Sequence, residues 1–413
     1  MLKQFIFAGM LFITGFSISQ NGTTSPYSFF GIGEQKFKGT AENRAMGGMS
    51  VFADSIHLNF QNPAGVAKLK YVNYTIGGSY KYVGQITDAE TQYATSTNLD
   101  YLALGIPLGK FGASFGVLPF TAVGYKLELE SETVISQYTG EGGLNKVFLA
   151  LAYNFTPNFS FGIDANYNFG NIDRKVIVSD EDLEFGTREV TNSNLLGFNF
   201  NLGAIYNTML NDYLNLTATV TYSPATDFTT QNSKTLSSIS ISETGAILPV
   251  DFRVIPLDNS EITFPSQLSI GAGIGSPKRW FLGAQYINLK TSNFNDPTFN
   301  VGTVQFNDAS KYRMGGFFIP NYNSLTSYWH RIVYRGGIRY EENGFSVRGE
   351  DINEFGISFG VGLPIGRFYS NLNIGFEIGS RGTTTNGLVK ENFFNTFLSI
   401  SLNDKWFEKR YID

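Results

Sequence analysis

Residues 145–170 read NKVFLALAYNFTPNFSFGIDANYNFG. Phe159, Phe161, Ile163, Ala165, Tyr167 and Phe169 occupy every second position, and the residues between them are small or polar. A side-chain period of two belongs to a β-strand, whose successive residues point to opposite faces. Residues 145–155 alternate in the same way, and the tight FTPNF connection at 155–159 joins the two runs. Two alternating runs across a short turn make an antiparallel hairpin.

The rule extends outward from this hairpin in both directions. In VNYTIGGSYKY (72–82), Val72, Tyr74, Ile76, Tyr80 and Tyr82 share one face, and Asn73, Thr75, Ser79 and Lys81 the other. The stretches 191–208 and 215–223 continue the pattern. FFNTFLSISL (393–402) closes it, with Phe394, Thr396, Leu398, Ile400 and Leu402 on one side. The alternation gives about fourteen strands. They start near residues 71, 98, 111, 143, 158, 192, 212, 264, 279, 308, 329, 353, 367 and 391.

The connections alternate in length. Those at 107–112, 155–159, 210–213, 275–280 and 364–367 are tight. Between them lie longer polar stretches near 84–97, 127–142, 174–191, 225–263, 289–307, 342–352 and 380–390. Short turns at one end, long loops at the other and an even strand number describe an up-and-down barrel in an outer membrane. A soluble propeller or sandwich also has many short strands, but not this alternation of connection lengths. One turn on the short side, near 320–328, is longer than the rule predicts. In hydrocarbon every backbone polar group needs a partner, and a closed sheet supplies one to each without an edge.

Composition agrees. Aromatic residues make up 15% of the 413 and charged residues only 16%. No run of ~18 apolar residues follows residue 19, so a helical span is not expected. Residues 1–19 read as a signal peptide, with Lys3 before the apolar run Phe5–Phe16 and small residues at Ser17 and Ser19. There is no cysteine, which removes disulfides, a lipid-anchored N-terminus and thiolate chemistry. A net charge of −5 gives no sign of nucleic-acid binding.

A fourteen-stranded lumen lies between the filled eight-stranded barrel and the open channel of sixteen or more strands, and left empty it would leak. Residues 20–69 are the expected plug. They lack strand alternation and carry turn formers, among them Gly47, Gly48, Pro63 and Gly65, beside enough apolar residues to argue against disorder. The expected organisation is a signal peptide at 1–19, a plug at 20–69, a barrel at 70–403 and a periplasmic tail at 404–413.

Within the plug, AMGGMSVFADSIHLNFQNPAGVA (45–67) resembles the N-terminal hatch motif of the FadL/TodX (OMPP1) family of outer-membrane transport proteins. The matching residues are Ala45-Met46-Gly47-Gly48, Ala53-Asp54 and Asn62-Pro63-Ala64-Gly65. TTSPYSFFGIGE, GISFGVGLPIG, NIGFEIGSRGT and NDKWFEKRYID resemble the Bacteroidota branch of that family. The resemblance covers both ends well and the middle loosely. It implies a plugged fourteen-stranded barrel in the Gram-negative outer membrane that carries fatty-acid-like or aromatic compounds. Membrane lipid and a hydrophobic small molecule would be its partners. Gly47, Gly48, Asn62, Pro63 and Gly65 would gate it, and Pro119, in the third strand, would mark a lateral exit. Pro119 could equally sit in a bulge above the membrane.

Two features depart from the family. The chain ends in the charged tail NDKWFEKRYID rather than in an aromatic strand end, and the outer loops show no apolar helix pair. Both suit the alternative: a non-transporting subunit of a larger outer-membrane machine for barrel assembly or protein secretion. Lys405, Trp406, Phe407 and Arg410 are then the candidate docking residues for other outer-membrane proteins. In the longest outer connection, Ile247, Leu248, Val250 and Phe252 form an apolar patch. Catalysis is not expected. The two G-x-S-x-G matches, at Ser114 and Ser358, lie inside strands and lack the strand–turn–helix setting a nucleophile needs. Of the two histidines, His57 falls in the plug and His330 near a strand base. No metal site or cofactor is expected.

Overall fold

The computed structural model describes residues 22–180, 182–242, 246–294, 304–365 and 370–406. The signal peptide, Phe407 and Arg410 lie outside the described residues. The chain forms a closed antiparallel barrel of fourteen strands. We number these β1 (Val72–Ile86), β2 (Thr91–Leu108), β3 (Phe111–Pro119 and Thr121–Ser131), β4 (Val134–Asn154), β5 (Phe159–Asp180), β6 (Gly186–Met209) and β7 (Asn215–Ser223 and Thr226–Ile241). There follow β8 (Ile247–Pro256, Ser260–Phe264 and Gln267–Ser276), β9 (Trp280–Leu289), β10 (Ala309–Phe318), β11 (Val333–Val347), β12 (Glu350–Ile365), β13 (Ser370–Arg381) and β14 (Lys390–Asp404). The ladder from Val72↔Asp404 to Ile86↔Lys390 closes the cylinder.

The alternation reads out as expected. Phe159, Phe161, Ile163 and Tyr167 are exposed on the outside, whereas Ser160, Asp164, Asn166 and Asn168 are buried within. An exposed apolar exterior fits a lipid solvent, and a polar interior fits a barrel lumen.

The long connections are a correction. Most of them are strand: residues 134–142, 174–180, 226–241 and 247–256 continue their ladders. They lie at the end of the barrel opposite the Val72–Asp404 pair. With water on both faces, such extensions carry no apolar period to read, as TDFTTQNSKTLSSISI (226–241) shows. The last strand likewise runs through Asp404, one residue past the expected barrel boundary.

Residues 22–69 lack barrel strands. They form a 3-10 turn at Pro26–Phe29, a two-residue strand at Glu34–Gln35, one helical turn at Ala41–Arg44 and a 3-10 turn at Pro63–Lys68. A capping box between Thr40 and Asn43 starts the helical turn. The segment's apolar side chains pack against residues of the wall in several groups. Leu58, Phe60, Val66, Ala67 and Leu69 meet Tyr101, Ala103, Leu118, Phe148, Ala150 and Ala152. Ile32 and Phe29 join Val123, Tyr125, Leu144, Phe228 and Phe264. Met46, Met49 and Val51 pack on Phe281.

Candidate functional site

The Ala45–Met49 turn sits against β10–β12. Gly47 and Gly48 have φ of 68° and 77°, a conformation that side chains rarely adopt. The Gly47 amide donates to Ser358 Oγ at 2.9 Å. Ser358, from one of the G-x-S-x-G matches, is therefore an anchor for the turn. The wall opposite is also glycine: Gly315 and Gly337 form a ladder pair. A Cβ on Gly315 would lie 2.6 Å from the Met46 carbonyl carbon.

The Asn-Pro-Ala-Gly turn is seated in the same manner on β5 and β6. Asn62 caps it, accepting from the Ala64 amide at 3.1 Å, and its Nδ2 donates to the Ala204 carbonyl at 3.3 Å. A Cβ on Gly162 would be 2.6 Å from both Ala64 N and the Pro63 carbonyl carbon. Gly65 lies over Asn59 and Ala53. Asn59 ties the turn back to the preceding loop by donating to the Ser50 carbonyl at 2.8 Å and accepting from Asn62 N at 3.0 Å.

Strand β3 breaks after Pro119, where sequence reasoning placed an irregularity. Its ladder with β2 ends at Leu102↔Val117, and beyond that point β2 pairs with β1 and β3 with β4. The N-terminal segment lines the resulting notch. Glu34 and Gln35 pair with Ala122 and Thr121, and Lys36 N donates to the Phe120 carbonyl at 2.9 Å. Gly124 N donates to Ser28 Oγ at 3.1 Å, and Gln85 Nε2 to the Thr24 carbonyl at 2.6 Å.

Between these seats runs a band of buried charge that single-sequence reasoning missed. Arg381 pairs with Glu34 of the N-terminal segment, and its Nε with Glu354 at 3.2 Å and Glu391 at 3.1 Å. Arg44 reaches Glu377 at 3.2 Å and Asp100 at 3.9 Å. Arg339 pairs with Glu377 at 2.6 Å and also with Glu354. Arg313 joins Glu341 at 2.8 Å to the Gly48 carbonyl at 2.9 Å and Gln61 at 3.1 Å. The groups come from the N-terminal segment and from inward positions of several strands far apart in the chain, so only the alternation, not the pairing, was legible. Burial alone would raise the Glu34 carboxyl, but Arg381, Lys81 and Lys36 hold it well below the usual carboxylate range. Burial pushes the Lys36 ammonium down to about 8, against the pull of Glu34.

The charged band lines a cavity of about 350 Å³. Lys36, Lys146, Arg313, Arg339, Glu354 and Glu377 face it. Aromatic side chains, among them Phe30, Phe37, Phe120, Phe264 and Phe393, share the lining with these charges.

The other candidates lie apart from this region. Leu248, Val250 and Phe252 are exposed on the first stretch of β8, with Ile247 half-buried. Trp406 packs edge-to-face on Tyr74 at 5.5 Å, beside Lys405. His57 Nδ1 lies 2.7 Å from Asp54, and His330 is exposed in the β10–β11 turn. Among the described residues no cluster of acidic and histidine side chains could hold a metal.

A family model described as BamG matches residues 1–413. The chain belongs to the BamG family. No curated protein matches it. Solved structures share the barrel. The CymD monoaromatic hydrocarbon channel superposes with a TM-score of 0.58 at 12% identity, over 91% of this chain and 100% of that one. The P. putida toluene transporter TodX gives 0.58 at 14% identity, over 89% and 99%. A Pseudomonas aeruginosa FadL homologue gives 0.60 at 11%, over 89% and 98%. At these identities the likeness is one of fold.

Proposed function

We propose that this BamG-family chain is a non-transporting subunit of the barrel-assembly machine of the outer membrane, and that residues 22–69 are a fixed plug. The family assignment points to an association with the outer-membrane Bam complex. The observation that carries the reading is the ionic band between plug and wall. A hydrophobic-solute channel needs a continuous apolar path, and here guanidinium, ammonium and carboxylate groups interrupt the aromatic lining of the central cavity. The Ala45–Met49 and Asn62–Gly65 turns rest on glycine faces with no slack for a hinge. The notch beside Pro119 is occupied by Glu34–Lys36 through main-chain hydrogen bonds. Together these features favour the subunit reading over the transport reading suggested by the FadL/TodX resemblance. Fold and family are both of non-enzymatic kinds.

Purification of the whole protein from outer membranes in mild detergent tests this. The expected result is a fixed-ratio complex with other outer-membrane proteins, and proteoliposomes of the isolated barrel that take up labelled toluene or oleate no faster than empty vesicles. A solitary barrel that accelerates uptake of either solute would restore the transport reading.

A further inference from the structure

The turn joining β10 to β11, residues 319–332, is the one that the sequence marked as too long for its side of the barrel. The other described turns at that end span only 109–110, 155–158, 210–214 and 277–279. Length here does not mean looseness. Asn321 N donates to the His330 carbonyl at 2.8 Å, Ser324 N to the Asn321 carbonyl at 3.1 Å and Ser327 N to Ser324 Oγ at 3.1 Å. Tyr328 Oη ties the turn to the Pro364 carbonyl at 3.1 Å, and Ile319 N binds the Arg279 carbonyl at 2.6 Å. Ile319 and Ile332 are buried at its base.

This ordered frame holds two large apolar side chains away from the protein. Leu325 at the tip is 100% exposed and Trp329 is 70% exposed. The Phe318–Tyr334 ladder pair marks where the wall ends, so both residues lie beyond the paired strands. Around them stand Lys278, Arg279 and Arg331, with Lys278 over the Tyr322 ring at 4.9 Å and Arg331 over Tyr328 at 5.4 Å. Neither this turn nor its neighbour 277–279 contains an aspartate or glutamate, although the whole chain is acidic.

We infer that residues 319–332 are a preformed docking knob for a protein partner on the periplasmic side, one that presents an apolar socket rimmed by carboxylates. Leu325 and Trp329 would enter the socket, and Lys278, Arg279 and Arg331 would meet the rim. The rigid turn lowers the ordering cost of binding. Trp and Arg are the residue types that dominate such contacts. Charge complementarity selects an acidic protein surface. The inference rests on the subunit reading, because it supplies the face through which a neighbouring subunit is held.

The test places a benzophenone photocrosslinker at position 325 of the full chain in native outer membranes. The expected product is a covalent adduct with a protein that also co-purifies in fixed ratio with the unmodified chain. Combining Lys278→Glu, Arg279→Glu and Arg331→Glu should lower that adduct on the order of tenfold or more, as for loss of interface hot spots. Leu325→Glu with Trp329→Glu, in the chain without the crosslinker, should lower recovery of the same partner comparably. Unchanged heat-modifiable migration on gels verifies that each variant barrel is folded. Crosslinks to phospholipid alone would make the knob a bilayer anchor and overturn the inference while leaving the subunit reading intact. A protein adduct indifferent to charge reversal would also overturn it. A wild-type chain that purifies alone would remove both readings.

Discussion

Replacing Arg381 by leucine should release the N-terminal segment from the barrel. Arg381 is the cation shared by Glu34, Glu354 and Glu391. Glu34 retains Lys81 at 3.4 Å and Glu354 retains Arg339. Glu391 is 0% exposed and has no other ion pair among the described residues. The variant therefore strands one carboxylate in a dry setting and weakens two more. Breaking a buried pair by removing one partner costs about 3–5 kcal/mol. That strain is relieved if the segment leaves and water floods the lumen, so it bears mainly on the docked state. At about 1.4 kcal/mol per factor of ten, the undocked population rises by roughly two to three and a half powers of ten. Limited proteolysis of detergent-solubilised protein would read this as faster cleavage within residues 22–69, and planar bilayers as new conductance. Arg381→Leu with Glu391→Gln should recover part of the loss, because the stranded charge is gone. If Arg381→Leu leaves cleavage and conductance as in the wild type, the ionic band does not hold the plug.

Three further outcomes follow from the same geometry. Gly315→Val puts a Cβ 2.6 Å from the Met46 carbonyl carbon; overpacking of this kind costs about 1–3 kcal/mol, and cleavage near Met46 should accelerate accordingly. His57 gives the docked state a pH dependence. Burial alone would lower its pKa, but Asp54 and Glu42 outweigh burial and raise it. Its contribution is therefore complete below the ordinary histidine value and lost as pH rises through the raised one. Asp54, held below its usual range chiefly because His57 overcomes burial, contributes above the ordinary carboxyl value and is lost as pH falls through the lowered one. Proteolysis measured across pH should show the alkaline loss in the wild type and not in His57→Gln. Finally, Leu248→Ser with Phe252→Ser should change barrel thermal stability little, within about 0.5 kcal/mol per site as for exposed positions, because both side chains are exposed; differential scanning fluorimetry checks this.

The resemblance to hydrocarbon transporters and the subunit reading describe one scaffold used in two ways. Such a fourteen-stranded wall can pass a hydrophobic solute only if a continuous apolar path exists. In this chain the wall carries Arg313, Arg339 and Arg381 at inward positions, each committed to carboxylates. Arg44–Glu377 and Glu34–Arg381 extend the network to the N-terminal segment, and those two pairs form only while the segment stays in place.

The sequence by itself determined the strand number, the direction each strand faces and the side of the barrel that holds the short turns. A period of two is a local property of extended backbone, and lipid outside with polar groups inside writes it into every strand. It also placed an irregularity in the third strand at Pro119, because proline cannot donate to a ladder, and an overlong turn near 320–328. It misplaced the upper strand ends, where water on both faces erases the period. The pairing of Glu34 with Arg381 across hundreds of residues, and the seating of two irregular turns on Gly162, Gly203, Gly315 and Gly337, were decided only when the sheet closed. Closure fixes which inward residues meet, and no spacing along the chain encodes that.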